Sequence, residues 1–249
     1  SFKLKIMAST SEIGHAKNVA NFQDLIEFVT AYGATYNPSK NSLKLPQLIA
    51  LKASADATLA DVITKNTNYN NKVNERITAF SGLKSLSTRL VNALQTTDAT
   101  TETIGNAKTF NRKMQGKKAS SSQTPTDPNT PAPNTISTSQ QSYDQLIQHL
   151  AGLTSILEAE TSYTPNETDL QVATLQTKIA DLTAKNTAVA TAYASISNSR
   201  IARNETLYSS STGLVETANE VKKYIKSVFG ASSPQFAQVK GIQFKIIKN

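Results

Sequence analysis

Two histidines, His15 and His149, are the only imidazoles in the chain, so any histidine chemistry must be built around them. His15 closes Glu12-Ile-Gly-His15, a Glu-x-x-His spacing that di-iron helical bundles use to turn a carboxylate and an imidazole inward together. Such a centre needs a second motif of the same kind and two more carboxylates on facing helices. No second Glu-x-x-His exists, and Ser and Gly surround Glu12, so a solvated loop pair is expected there. His149 follows Asp144 by five residues, a poor spacing for one helix face, and reads as a boundary polar residue. Asp24 with Glu27, and Glu158 with Glu160, read as surface acids rather than acid–base pairs.

Nucleophilic catalysis needs a base beside the nucleophile and a group that orients the base. Serines abound, yet no Gly-x-Ser-x-Gly elbow, P-loop or Gly-x-Gly-x-x-Gly stretch occurs. The absence of cysteine excludes disulfides, thiolate catalysis and Cys-ligated metal centres. The expectation is a protein that is not an enzyme, with no cofactor, no metal and no catalytic residue.

The remaining candidate chemistry is electrostatic. The net charge of +8 is uneven: residues 106–126 carry five basic groups and no acid, residues 127–220 carry 4 basic and 10 acidic groups, and residues 221–249 carry six lysines and no acid. Arg112, Lys113, Lys117 and Lys118 in "NRKMQGKK", with Lys222, Lys223 and Lys226 in "EVKKYIKSVFG", are the candidate contacts for an anionic partner, a nucleic acid or an acidic membrane surface. Phe110 is the only aromatic near the first cluster, so a stacking platform is not visible. A helix end solvated by cations explains the first cluster better, and burial in a helical core explains the apolar residues of the second.

The elements that position these residues are helices. With 38% apolar residues the chain can bury a core, but charged residues reach only 18%, which leaves weak electrostatic barriers to self-association. No apolar run approaches the roughly 18–20 residues of a membrane-spanning helix. The opening "SFKLKIMAST" lacks the apolar core of an intact signal peptide, and the compartment stays open.

Val19, Phe22, Leu25, Ile26 and Val29 share a helical face from about Asn18, with Gly33 as the stop. A seam of alternating three- and four-residue steps then runs from Leu45 through Leu48, Ala55, Leu59, Val62, Tyr69, Val73, Phe80 and Leu83 to Leu94, with Gly82 as the expected break. A third helix is expected over about Thr101–Gln115, before Gly116.

Ala119–Gln141, with prolines at 125, 128, 131 and 133, reads as a semi-extended linker. Beyond it Leu146, Ile147, Leu150, Leu153 and Ile156 mark a helix, and Thr164-Pro-Asn-Glu167 fits a capping box. A second seam runs from Leu175 through Ile179, Leu182, Val189, Tyr193 and Ile196 to Leu214, Ala218, Val221, Ile225 and Val228. "YNPSKNSL" at Tyr36–Leu43 returns as "YTPNETDL" at Tyr163–Leu170, and Phe22–Ile26 is echoed by Tyr143–Ile147. Heptad sequences also match themselves when shifted, so periodicity contributes to this similarity.

Three domains are expected: a first helical repeat over 1–118 with an N-terminal strand, a linker over 119–141, and a second repeat over 142–249 with a C-terminal strand. Phe2–Met7 and Ile242–Ile247 alternate in the period of half-buried strands that could pair.

"YNPSK", "VNERITAF", "RKMQGKKAS", "SNSRIARN" and "TGLVETANEVKKYIKSVFGASSPQ" resemble segments of an uncharacterised family of two-repeat helical proteins common in Bacteroidetes-type bacteria, from His15 to the C-terminal end. The resemblance implies a two-unit layout and carries over no activity, cofactor or site residue. The fold expected is all-α, a long antiparallel bundle of two duplicated units with a small β pairing of the termini. The function expected is structural or interactive, with further copies of the chain as partner in a homo-oligomer or filament. A pore-forming toxin of long helices would need a lipid-facing apolar stretch, and none is visible.

Overall fold

The structure, a computed structural model, describes residues 10–116 and 141–247; these form eight α-helices and no strand. They are α1 (Thr10–Ala31), α2 (Leu45–Phe80), α3 (Leu83–Leu94), α4 (Thr101–Gln115), α5 (Tyr143–Ala159), α6 (Val172–Tyr208), α7 (Leu214–Phe229) and α8 (Pro234–Lys240). Local chemistry sets their ends. Gly33, at φ +57°, takes the left-handed conformation beyond α1, and Gly116, at φ +75°, donates its N–H to the Arg112 and Lys113 carbonyls at the end of α4. Side-chain oxygens of Thr100, Ser142 and Ser233 accept backbone N–H groups at the starts of α4, α5 and α8. Gly82 stands between α2 and α3, where a break was expected. Gly213 precedes α7 for a steric reason: a Cβ there would lie 2.5 Å from the Ser209 backbone nitrogen.

The chain divides into two compact units, one of Ser1–Tyr69 with Tyr193–Asn249 and one of Asn70–Ala192. These are not the sequence halves. In the first unit Phe22, Leu25 and Val29 of α1, Leu43 of the following turn, and Leu48 and Ala55 of α2 close a core with Leu207 of α6, Leu214, Val221 and Ile225 of α7, and Val239 of α8. In the second unit Leu150, Leu153 and Leu157 of α5, Leu170 of its turn, and Leu175 and Leu182 of α6 close a core with Phe80 of α2, Leu83, Leu90 and Leu94 of α3, and Ala107 and Met114 of α4. Each core therefore joins a short helix, a turn and the start of a long helix from one half to the end of the other half's long helix and the two helices after it. The periodicity of a seam defines a buried face but not its partner, which is why this exchange is invisible in the spacing of apolar residues.

The repeated turn is built the same way twice. The buried Tyr36 hydroxyl donates to the Leu43 carbonyl at 2.7 Å, and the Tyr163 hydroxyl donates to the Leu170 carbonyl at 2.9 Å. Burial raises the pKa of both phenols, that of Tyr163 to about 12, so both remain protonated donors. A single turn of 3-10 helix follows each tyrosine, Asn41–Leu43 and Thr168–Leu170.

That geometry corrects one expectation. Thr164–Glu167 is not an α-helix cap: only the 3-10 turn Thr168–Leu170 follows it and the α-helix waits until Val172, because the Tyr163 bond and the buried Leu170 hold the loop in. The strand expected at Ile242–Ile247 is not formed either; Phe2–Met7 lies outside the described residues, as does the linker apart from Gln141. In place of a strand neighbour, the Asn18 side-chain amide donates to the Lys245 carbonyl at 2.7 Å and accepts the Lys245 N–H at 3.0 Å. A primary amide carries the same donor and acceptor as a peptide group, so it satisfies Lys245 as a ladder partner would. Helix α8 went unread in the sequence, although Ser233-Pro234 is a cap followed by proline at the first helical position.

Candidate functional site

The basic candidates divide between the two units. Arg112 is exposed in the last turn of α4 and donates to the Thr109 hydroxyl at 3.0 Å. Lys113 lies 5.4 Å from the Phe110 ring centroid, and Lys117 and Lys118 are outside the described residues. On α7, Lys223 is exposed and Lys226 lies 5.8 Å from the Phe236 ring. Lys222 is engaged: its ammonium donates to the Lys240 carbonyl at 3.2 Å and the Ile242 carbonyl at 2.6 Å, beside the Phe244 ring. It caps the C-terminal end of α8, where the helix dipole favours a cation. Burial lowers its pKa. The structure thus assigns Lys222 to holding the C-terminal segment in place.

The polar cluster of the first unit was not legible in advance. Arg203 on α6 is fully buried, and its Nη1 donates to both carboxylate oxygens of Glu12 at 2.7 Å. Its Nε and Nη2 donate to Asn204 Oδ1. The buried His15 shares a hydrogen bond of 2.6 Å between Nδ1 and the Tyr208 hydroxyl, which Asn18 also reaches at 3.2 Å. Burial raises the Tyr208 pKa, against smaller lowering effects from Asn18 and Arg203.

Glu12 and His15 are therefore not a solvated loop pair. Helix α1 begins at Thr10, and positions 15 and 18 extend the stripe of Val19, Phe22 and Leu25 with polar residues, so hydropathy alone ended it too soon. Ser199 and Arg203 likewise stand in the seam between Ile196 and Leu207. The cluster ties α1, α6 and the C-terminal segment together through matched donors and acceptors, which is the chemistry of a structural clasp.

His149 is buried beside Phe110, at a ring separation of 6.4 Å, and Asp144 accepts instead from Asn186 at 2.7 Å. Asp24, Glu27 and Glu158 are exposed. Glu160 accepts both the N–H and the hydroxyl of Ser162; these bonds lower its pKa and make it a weaker base. A polar hollow of about 360 Å³ is lined by Thr96, Thr97, Asp98, Ser162, Asn166 and Glu167. No group of three or more His, Cys, Asp or Glu among the described residues could hold a metal ion, and none of the described helices is long and apolar enough to cross a membrane.

The remaining feature is an exposed face on each long helix. On α2 the positions Ile49, Ala53, Asp56, Ala60, Ile63, Thr67, Asn70, Asn74 and Ile77 alternate steps of four and three, and all are exposed. The three isoleucines are each more than half exposed, Ile49 and Ile63 in the first unit and Ile77 in the second. On α6 the positions Ala173, Thr177, Ala180, Ala184, Thr187, Thr191, Ala194, Asn198 and Ile201 repeat the same steps, again all exposed. Asp56 is the one charge in either stripe. Water-facing helical positions ordinarily carry charged residues, and these two heptad-spaced stripes carry one charge between them.

Comparison of the chain with protein-family models, with curated proteins and with solved structures finds no match.

Proposed function

We propose that this chain is a non-enzymatic structural protein that associates with further copies of itself, built as an antiparallel bundle from two duplicated helical repeats. The single observation that carries this reading is the pair of charge-poor, heptad-spaced, exposed stripes on α2 and α6, with Asp56 their one charge. The α2 stripe carries Ile49, Ile63 and Ile77, while the α6 stripe is mostly alanine and threonine and has one large residue, Ile201. A second copy supplies both stripes, which makes it the occupant of choice.

Duplication is supported by the two tyrosine turns and by the placement of Phe22, Leu25 and Val29 in one core where Leu150, Leu153 and Leu157 stand in the other, a register one heptad away from the Phe22–Tyr143 echo. It agrees with the two-repeat family the sequence resembles. The anionic-partner reading is weaker, because Lys222 is committed to the α8 end.

Light scattering across a wide concentration range tests the reading. The wild-type chain is expected to form concentration-dependent oligomers, and a variant carrying Ile49→Lys, Ile63→Lys and Ile77→Lys is expected to keep its helix content while its association weakens by about tenfold or more. Exposed sites away from packing tolerate such changes within about 0.5 kcal/mol each. A wild-type monomer at every concentration, or a triple variant that associates like wild type, removes the proposal.

A further inference from the structure

The repeated turn and the helix it packs on carry opposite charges in the two units. In the first unit the turn contributes Lys40, whose ammonium pairs with Glu220 on α7 at 2.6 Å. In the second unit the turn contributes Asp169, whose carboxylate pairs with Arg89 on α3, and Glu167 of the same turn also acts on that guanidinium. The positions correspond. Lys40 and Glu167 are both four residues past the turn tyrosine, and Arg89 and Glu220 are both six residues past the first buried leucine of their helix, Leu83 or Leu214. At both corresponding positions the sign is reversed.

We propose that this reversal sorts the halves of the chain, so that the turn of each half accepts the helix of the other half and rejects its own. If the first-half turn packed on α3 of its own half, Lys40 would meet Arg89. If the second-half turn packed on α7, Glu167 and Asp169 would meet Glu220. The apolar surfaces of α3 and α7 are otherwise alike, with Leu83, Leu90 and Leu94 in one and Leu214, Val221 and Ile225 in the other, so shape alone discriminates poorly between the two arrangements. Charge placed at the rim of a packed surface selects among partners of similar shape. The inference does not depend on self-association.

The test separates the pairs from the code they form. Lys40→Glu with Glu220→Lys keeps an opposite-charge pair at that contact, yet makes both turns acidic and both facing helices basic. Arg89→Glu with Glu167→Lys and Asp169→Lys erases the code in the other direction. All five substitutions together restore it with inverted sign. Each protein is refolded from urea at low salt and its yield of the native species is read by size exclusion, with circular dichroism for helix content.

Both erased variants are expected to lose about two- to fivefold in native yield, the scale of one exposed ion pair, and the five-fold variant is expected to recover. The deficit shrinks at high salt. Erased variants that refold like wild type overturn the proposal, as does a five-fold variant that fails to recover or fails to fold.

Discussion

Replacing Glu12 by alanine is expected to destabilise the chain by about 2–4 kcal/mol, because it strands a fully buried guanidinium. Removing one partner of a buried pair costs more than the pair contributes, since the remaining charge has neither water nor a counter-ion. The figure sits toward the low end because the Glu12 side chain is 32% exposed, and water entering the vacated space would solvate part of the charge. Arg203→Met combined with Glu12→Gln removes both charges and is expected to return to within about 1 kcal/mol of wild type. Urea denaturation of the three proteins reads both numbers. Equal losses in the single and double variants would mean that packing of the arginine stem, rather than its charge, is what α1 and α6 depend on.

Phe22→Ala is expected to cost about 3–5 kcal/mol, the range for emptying a fully buried aromatic site. Phe22 sits in the first core with Phe244 edge-on at 6.4 Å, so its loss also loosens the C-terminal segment. The second core contains no residue of α1, α7 or α8, and α4 and α5 pack with one another and with α3. Hydrogen exchange should therefore accelerate in α1, α7 and α8 while α4 and α5 keep their protection. Equal acceleration in α4 and α5 would show that the continuous helices α2 and α6 make the two cores a single cooperative unit.

Where apolar periodicity and a glycine agreed, the helices could be read in advance. The break at Gly82 and the span Thr101–Gln115 with its Gly116 cap are found where the spacing placed them. The reading failed where polar residues take core positions. His15, Asn18, Ser199 and Arg203 fill the stripe without being apolar, and their burial follows from partners more than a hundred residues away in sequence. It failed again at Ile242–Ile247, where alternation matched a strand but the Asn18 amide supplies the hydrogen bonds.

The basic candidates were legible as charge and not as geometry. Nothing in the spacing of Lys222 distinguishes it from Lys223, yet one caps a helix and the other faces water. The exposed stripes on α2 and α6 share the heptad step of the buried seams, so the sequence alone did not separate a packed face from an open one.

Zero-length carbodiimide cross-linking tests most directly the claim that each core is assembled from both halves of the chain. Lys40 lies 2.6 Å from Glu220, and Lys185 lies 3.5 Å from Glu75. Mass spectrometry of linked peptides is expected to recover 40–220 and 75–185, each joining the first half to the second. Mixing isotope-labelled with unlabelled chains separates links within one copy from links between copies, and these two are expected within one copy. Recovery of neither link, with Lys40 joined instead to carboxylates of its own half, would contradict the exchanged cores.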